Sequence, residues 1–269
     1  MLSTDRAASV TILVLGLAFG VFFLLPFAGL LDRAIDEPRT WELLRTTQVR
    51  QALILSLWTS TVTVTLAIVF GTPIAYALAR VRFPGVSVVD ALIDLPIVLP
   101  PTVAGVALLT AFGRRGLLGE PIEDWTGFTF GFRTTAVIMA QLLVAAPFYI
   151  RAAKSGFEAV DVQVERVAYT LGASRVRTFF RITAPQARPA LAAGIVLCWA
   201  RSMGELGATL IFAGNFEGKT QTMPLAVISA FEGSALGLAG AIALSLILLG
   251  VALAVLVGFR LATSRAAAR

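Results

Sequence analysis

The chain has no histidine and one cysteine, Cys198, among its 269 residues. A lone thiol builds no disulfide framework, and without histidine or a cysteine cluster the usual ligand sets for zinc and other transition metals are missing. No metal site is therefore expected. Charge is scarce as well, at 14%, where soluble domains carry roughly 25%. What fills the chain is apolar: 57% of residues are hydrophobic and the mean hydropathy is +0.85. This is the composition of an integral membrane protein that lies in a lipid bilayer. The 22 basic residues against 16 acidic ones leave a net +6. In an apolar chain such an excess belongs to loops facing anionic lipid on the cytoplasmic side, so nucleic acid is not an expected partner.

A helix needs about 20 mainly apolar residues to cross a bilayer. Runs of this kind at 10–31, 51–79, 86–112, 134–150, 190–212 and 236–261 predict six transmembrane helices in an all-α fold. The first, Val10–Leu31, is too long for the apolar core of a secretory signal and lacks a small-residue cleavage pattern, so it reads as a retained first span. Loop charge tests the count independently. The segment 80–85 carries Arg80 and Arg82 with no acid, and 151–189 carries seven basic residues against three acids. The intervening segments 32–50, 113–133 and 213–235 are balanced or slightly acidic, and the tail after 261 is basic. Alternate loops are therefore basic, which predicts both termini, 80–85 and 151–189 on the cytoplasmic side. No internal repeat or soluble second domain is visible, and 1–269 reads as a single transmembrane domain.

The cytoplasmic segment 157–185 breaks the apolar pattern. Phe157, Val160, Val164, Val167 and Leu171 recur at helical spacing, with Glu158, Asp161, Glu165 and Arg166 around the rest of the circumference. Gly172 follows the last periodic residue, where a left-handed C-terminal cap belongs. Ser174 is placed to cap a second helix, "RVRTFFRIT", whose Val176, Phe179 and Phe180 form an apolar patch while Arg177 and Arg181 stack one turn apart. Pro185 and Pro189 close the unit. The expected form is helix, glycine elbow, helix. Two readings fit it: a hairpin lying on lipid headgroups, or a docking site for a soluble partner.

Polar residues inside the runs are the other candidates. Arg201 and Glu205 are four apart on one helix face and can pair. Each charge at mid-membrane costs about 2.5–3.5 kcal/mol on insertion scales, so the pair should face a bundle interior or an aqueous path. It either locks two helices together or lines a pathway. Gly204 and Gly207 are small enough to let a neighbouring helix approach or the helix unwind. In the third run Pro96, Pro100 and Pro101 each remove a backbone donor, which predicts a distorted helix that is either merely kinked or lines a cavity. Pro100, Pro101, Thr102, Gly204, Gly207, Thr209 and Asn215 are accordingly the pathway candidates, and Asp90 and Asp94 mark the cytoplasmic water interface. The stretch "AGNFEGKT", 213–220, matches a relaxed phosphate-loop pattern. It follows a span instead of a strand and lies on the predicted outer side, so ATP is not expected on this chain.

From Gly172 the spacing to Ile182 and Pro185 resembles the EAA loop of ATP-binding-cassette importer permeases, which reads E-A-A-x3-G-x9-I-x-L-P. Arg166, Val167 and Ala168 occupy the E-A-A positions, with Glu165 one residue early and Ala184 at the usual Leu. The segments "DLPIVLPPTVAG", "LGASRVRTFFRITAP", "SMGELGAT" and "TQTMPLAV" further resemble the molybdate/tungstate permease group, which is similar to the sulfate permeases. That resemblance implies a homodimer in a prokaryotic plasma membrane, driven by a cytoplasmic ATPase dimer that holds ATP and Mg and fed by an extracytoplasmic oxyanion-binding protein. It also implies that Glu165, Arg166, Ala168, Gly172, Ala173, Ser174, Ile182 and Pro185 serve ATPase coupling, and that no cofactor is bound by the chain itself. The alternatives are a sulfate or thiosulfate permease of the same type, or a stand-alone secondary transporter or channel. The latter suits Arg201, Glu205 and the prolines but leaves the elbow without a purpose. An intramembrane enzyme is disfavoured, because histidine, a G-x-S-x-G motif and a mid-membrane carboxylate cluster are all missing.

Overall fold

The computed structural model describes residues 2–82 and 84–267, with side chains for 11–82 and 84–261. The tail arginines Arg265 and Arg269 fall outside the described side chains. Among the described residues all regular structure is helical, joined by short turns and loops, and there is no strand. In order come α1 (Leu2–Asp36), α2 (Pro38–Leu43), α3 (Thr47–Arg80), α4 (Val86–Val98), α5 (Pro101–Phe112), α6 (Gly119–Thr126) and α7 (Thr134–Glu158). They are followed by α8 (Val162–Thr170), α9 (Arg175–Thr178), a π-helical turn (Phe179–Thr183), α10 (Ala184–Gln186), α11 (Arg188–Met203), α12 (Gly207–Ala213), α13 (Met223–Phe231) and α14 (Gly237–Ala267). With no water in hydrocarbon, only helices that satisfy their own backbone groups are viable there.

Among the described residues four helices are long and apolar enough to cross a membrane: those covering Thr11–Asp36, Thr47–Arg80, Thr134–Glu158 and Gly237–Leu261. Two further runs are broken. The run expected at 86–112 bends by 116° between α4 and α5, and the run at 190–212 bends by 57° between α11 and α12. The first break has a plain cause. Pro100 forces the preceding Leu99 into extended backbone (ψ 136°), and Pro101 then starts α5 at its first position. This is far more than the kink that prolines inside α1, α3 and α7 impose (Pro26, Pro73, Pro147), where the helix simply continues.

The centre of the bundle is α3, α7 and α11. Small residues set their spacing: a Cβ added at Gly71 would lie 2.9 Å from Ile150, and one at Gly194 2.9 Å from the Ala152 Cβ. Around these contacts Val64, Ala67, Ala145, Tyr149, Ala153, Phe157 and Cys198 form one buried cluster. A second joins α5, α7 and α12 through Ala104, Ala140, Val144, Ala208 and Phe212. The α1 helix packs on α14 and α2, and its apolar side chains otherwise lie on the outside of the bundle, as suits a lipid-facing helix.

A polar row runs down the inner face of α3: Ser56, Thr59, Ser60 and Thr63 are all buried. Thr63 donates to Gln141 Oε1 at 3.1 Å, and the Ser56 hydroxyl accepts the Met223 amide at 2.8 Å at the start of α13. These bonds hold helices together where the hydrophobic effect, with lipid as the alternative solvent, does little.

Candidate functional site

Two places carry the polar residues singled out by sequence: the elbow between α7 and α11, and the break between α11 and α12.

At the elbow the expected helix 157–171 is interrupted. Phe157 and Val160 are buried and belong to the end of α7 and its exit, so the chain must leave α7 there. Asp161 then caps α8, its carboxylate accepting the Gln163 amide at 2.8 Å. The C-terminal end of α8 closes as a Schellman motif. Gly172 has φ +83°, its amide donates to Tyr169 O at 3.0 Å, and the Ala173 amide donates to Ala168 O at 3.0 Å. Ser174 caps α9 by accepting the Arg177 amide at 3.3 Å. The second helix is not a continuous α-helix, because α9 widens into the π turn at Phe179–Thr183. The patch expected from Val176, Phe179 and Phe180 therefore splits. Phe179 turns inward against Tyr76 and Phe157, with ring centroids 5.2 and 5.7 Å away. Val176 and Phe180 face outward, and Phe180 is 68% exposed. Leu171, beside the glycine, is 82% exposed.

The eight coupling candidates divide in the same way. Arg166, Gly172 and Ser174 lie on the outer surface, Ala173, Ile182 and Pro185 are half-buried, and Glu165 and Ala168 point inward. The one-residue offset in the E-A-A register thus has a structural meaning. Arg166 looks out, while Glu165 is buried against Arg80 Nη2 at 3.0 Å and accepts from the Thr183 hydroxyl at 2.7 Å. Glu165 and Arg80 are 85 residues apart, so no local signal links them. Breaking a buried pair by removing one partner costs about 3–5 kcal/mol.

Asp90 and Asp94 are not bare interface markers. They sit one turn apart on α4 opposite Arg151 and Lys154 of α7. Asp90 meets Arg151 Nη1 and Lys154 Nζ at 2.9 Å each, and Asp94 pairs with Arg151. The acids and bases belong to different runs, 57 and 64 residues apart, so no local spacing links them.

At the α11–α12 break, Glu205 does two jobs. Its Oε1 accepts the Ala208 amide at 2.8 Å, supplying a cap to the first turn of α12. Its Oε2 meets Arg201 Nη1 at 2.8 Å, as an ion pair and not as an aligned hydrogen bond. The Glu205 side chain is 1% exposed and that of Arg201 27%, so the cation reaches an open surface and the anion does not. Gly207 permits the neighbouring contact: a Cβ there would lie 2.9 Å from the Pro101 Cβ and 3.2 Å from the Thr102 amide. Likewise a Cβ on Gly105 would lie 2.9 Å from Ala208 Cα. The two broken runs therefore meet backbone to backbone, and Pro101, Thr102 and Gly207 are brought together beside the Arg201–Glu205 pair. Pro100 is the residue preceding this contact, at the N-cap of α5. Gly204 ends α11 in open surroundings, and a Cβ there would approach only Ala200 O, at 3.6 Å. Thr209 is buried in α12 and its hydroxyl finds no hydrogen-bond partner among the described residues.

Asn215 is not part of this group. It lies past the other end of α12 and donates to Ser229 Oγ at 2.7 Å. The surrounding 213–220 loop is no phosphate cradle. The amides of Lys219, Thr220 and Gln221 all turn inward onto Phe216 O, and the Phe216 amide is taken by the Thr220 hydroxyl.

A multi-helix bundle with apolar helices of membrane-crossing length, two broken helices abutting at a buried charge, and an ordered polar elbow fits a membrane-embedded transport subunit. The family model described as "Binding-protein-dependent transport system inner membrane component" matches residues 67–263, and the chain belongs to that family. It is 43% identical over 182 residues to the molybdenum transport system permease protein ModB of Escherichia coli K12, covering 68% of this chain and 80% of that one. To ModB of Mycobacterium tuberculosis it is 40% identical over 238 residues, 88% of each chain. To the molybdate/tungstate transport system permease protein WtpB of Pyrococcus abyssi it is 38% identical over 231 residues, 86% of this chain and 82% of the relative. Among solved structures, a bacterial ABC transporter that imports the acidic polysaccharide alginate superposes with a TM-score of 0.72 over 98% of this chain and 97% of its own, at 17% identity. The methionine ABC transporter MetNI in an inward-facing form gives 0.60 over 83% of this chain and 95% of its own, at 16% identity. At such identities the two structures speak for the fold alone. The chain is thus a multi-pass inner-membrane permease subunit of an ABC importer, and ATP hydrolysis belongs to a separate chain.

Proposed function

We propose that two copies of this chain form the path of an importer for a tetrahedral oxyanion, molybdate or tungstate. Six crossings per copy, with both termini cytoplasmic, put the elbow on the inner side, where two ATPase subunits carrying ATP and Mg dock on it. An extracytoplasmic binding protein delivers the anion to the other side. The observation that carries this reading is the elbow. Val176 and Phe180 line a groove against Ile68, Val69 and Pro73 of α3, but Leu171 stands exposed on a glycine-capped, hydrogen-bonded turn, and an apolar side chain held so firmly in the open suits a soluble partner. The named cargo of the relatives at 38–43% identity supports the anion class.

In this mechanism ATP-driven closure of the partner ATPases draws the two elbows together and turns the spans outward, and hydrolysis lets them return. The contact of Pro101, Thr102 and Gly207 beside Arg201 is the candidate path wall. Arg201 offers the anion a positive charge, and Glu205 offsets it so that the anion does not bind too tightly to leave. Reconstitution tests the proposal. Proteoliposomes holding this chain, its ATPase and its binding protein should take up labelled molybdate only with ATP and all three proteins, with tungstate competing and sulfate not. Uptake by the chain alone would make it a stand-alone carrier, and competition by sulfate would move it to the sulfate type.

A further inference from the structure

The second long helix and the elbow share one carboxylate. Arg80, the last residue of α3, donates from Nε to both oxygens of Glu165 at 3.2 Å and from Nη2 to Oε1 at 3.0 Å. The same Nη2 reaches Val160 O at 2.9 Å, and the Thr183 hydroxyl donates to Oε1 at 2.7 Å. The side chains of Arg80 and Glu165 are 11% and 4% exposed. Four pieces of chain therefore meet at one ion pair: the α7–α8 link bonds its Arg80 side, the π turn its Glu165 side, and α3 and α8 carry the two partners. One turn before Arg80, Tyr76 packs edge-on against both Phe157 and Phe179, so an aromatic contact braces the same joint. A forked guanidinium fixes orientation as well as distance. The elbow cannot rotate on α3 without breaking this network, while Leu171 at its outer corner takes no part in it.

We propose that Arg80 is a positioning residue for transport: through Glu165 and Val160 it makes the elbow and α3 one rigid lever, so that force applied to the elbow's outer face moves the second span. This rests on the docking role given to the elbow above. Three variants test it in the complete reconstituted importer: Arg80→Gln, Arg80→Lys, and the double Arg80→Gln with Glu165→Gln, which leaves no buried charge unpaired and serves if the single change does not fold. The readouts are ATPase subunits retained by the permease, oxyanion imported per ATP hydrolysed, and the mobility of a spin label on Val167→Cys, the native Cys198 being buried. A misplacement of about an ångström costs on the order of tenfold to a hundredfold where positioning matters. Import per ATP should fall by that order in both Gln-containing variants, with the ATPase retained and the α8 label more mobile. Arg80→Lys, which keeps the charge without the fork, should recover part of the loss. Import per ATP at the wild-type level in the double variant overturns the proposal. So does loss of the ATPase from Arg80→Gln, because Arg80 would then shape the docking face instead of transmitting force. Leu171→Asp tests the docking role separately, since Leu171 is exposed and outside this joint: if it keeps the ATPase, that role fails whatever Arg80 does.

Discussion

Replacing Glu205 by alanine should lower the melting temperature by roughly 8–12 °C. Two losses add. The Ala208 amide loses a charge-assisted acceptor at 2.8 Å, worth about 1.5–3 kcal/mol. Arg201 is left without its anion; for a fully buried pair that is about 3–5 kcal/mol, and with 27% of the Arg201 side chain open the cost is taken at about half. The sum is about 4 kcal/mol, at roughly 2–3 °C per kcal/mol for a chain of this length. Glu205→Gln keeps a neutral acceptor for Ala208 and loses only the charge, so it should fall between alanine and wild type. The double change Arg201→Met with Glu205→Gln keeps the acceptor and removes both charges, and should melt within about 1 kcal/mol of wild type. The assay is built into the chain. Cys198 is the only thiol, is buried, and lies on α11 less than a turn before Arg201, so a thiol-reactive dye reports unfolding of this helix directly. Glu205→Ala melting like wild type would refute the reasoning, since neither the cap nor the pair would then be holding the break. In the double variant, intact melting with altered oxyanion uptake assigns Arg201 to the path, and unaltered uptake assigns the pair to helix locking.

Gly172→Val should uncouple ATP hydrolysis from uptake while membrane insertion stays normal. The space around Gly172 is open, so the cost is conformational: about 1–2 kcal/mol for a side chain at φ +83°, enough to open the elbow. Wild-type uptake in that variant would sink the elbow's role. Leu171→Asp should leave thermal stability unchanged and strip the ATPase from the permease on purification, because Leu171 touches little of its own chain. Gly105→Val should separate α5 from α12, since its Cβ would lie 2.8 Å from Ile211 Cβ and 2.9 Å from Ala208 Cα; overpacking of this kind costs about 1–3 kcal/mol and shows as a lower melting temperature.

Much of the elbow was legible in the sequence because its signals are local. A cap residue, a helical period and a glycine at the last turn all act within about four residues, and Asp161, Ser174 and Gly172 take conformations that such short-range bonds dictate. What failed was the direction of individual side chains. Phe157 looked like the start of the elbow helix and is the floor of the bundle, and Phe179 looked like part of an outer patch and is an anchor. Periodicity gives one face of a helix but does not tell which neighbour covers it.

The same division holds for the membrane part. Composition, run length and loop charge by themselves determined that the chain is a multi-pass helical membrane protein with a polar elbow, because transfer into hydrocarbon is a sum over residues and needs no partners. Prolines announced that the third run would be distorted. Tertiary structure alone decided that it breaks by 116° and lays α5 against α12, that Arg80 reaches Glu165, that Arg151 and Lys154 cover Asp90 and Asp94, and that Glu205, in the break between α11 and α12, caps the helix that follows. Most of these contacts join residues far apart in the chain, and the last follows from where the helix breaks. A buried charge must find a partner somewhere, but which one it finds depends on how the helices pack, and that is a property of the whole bundle.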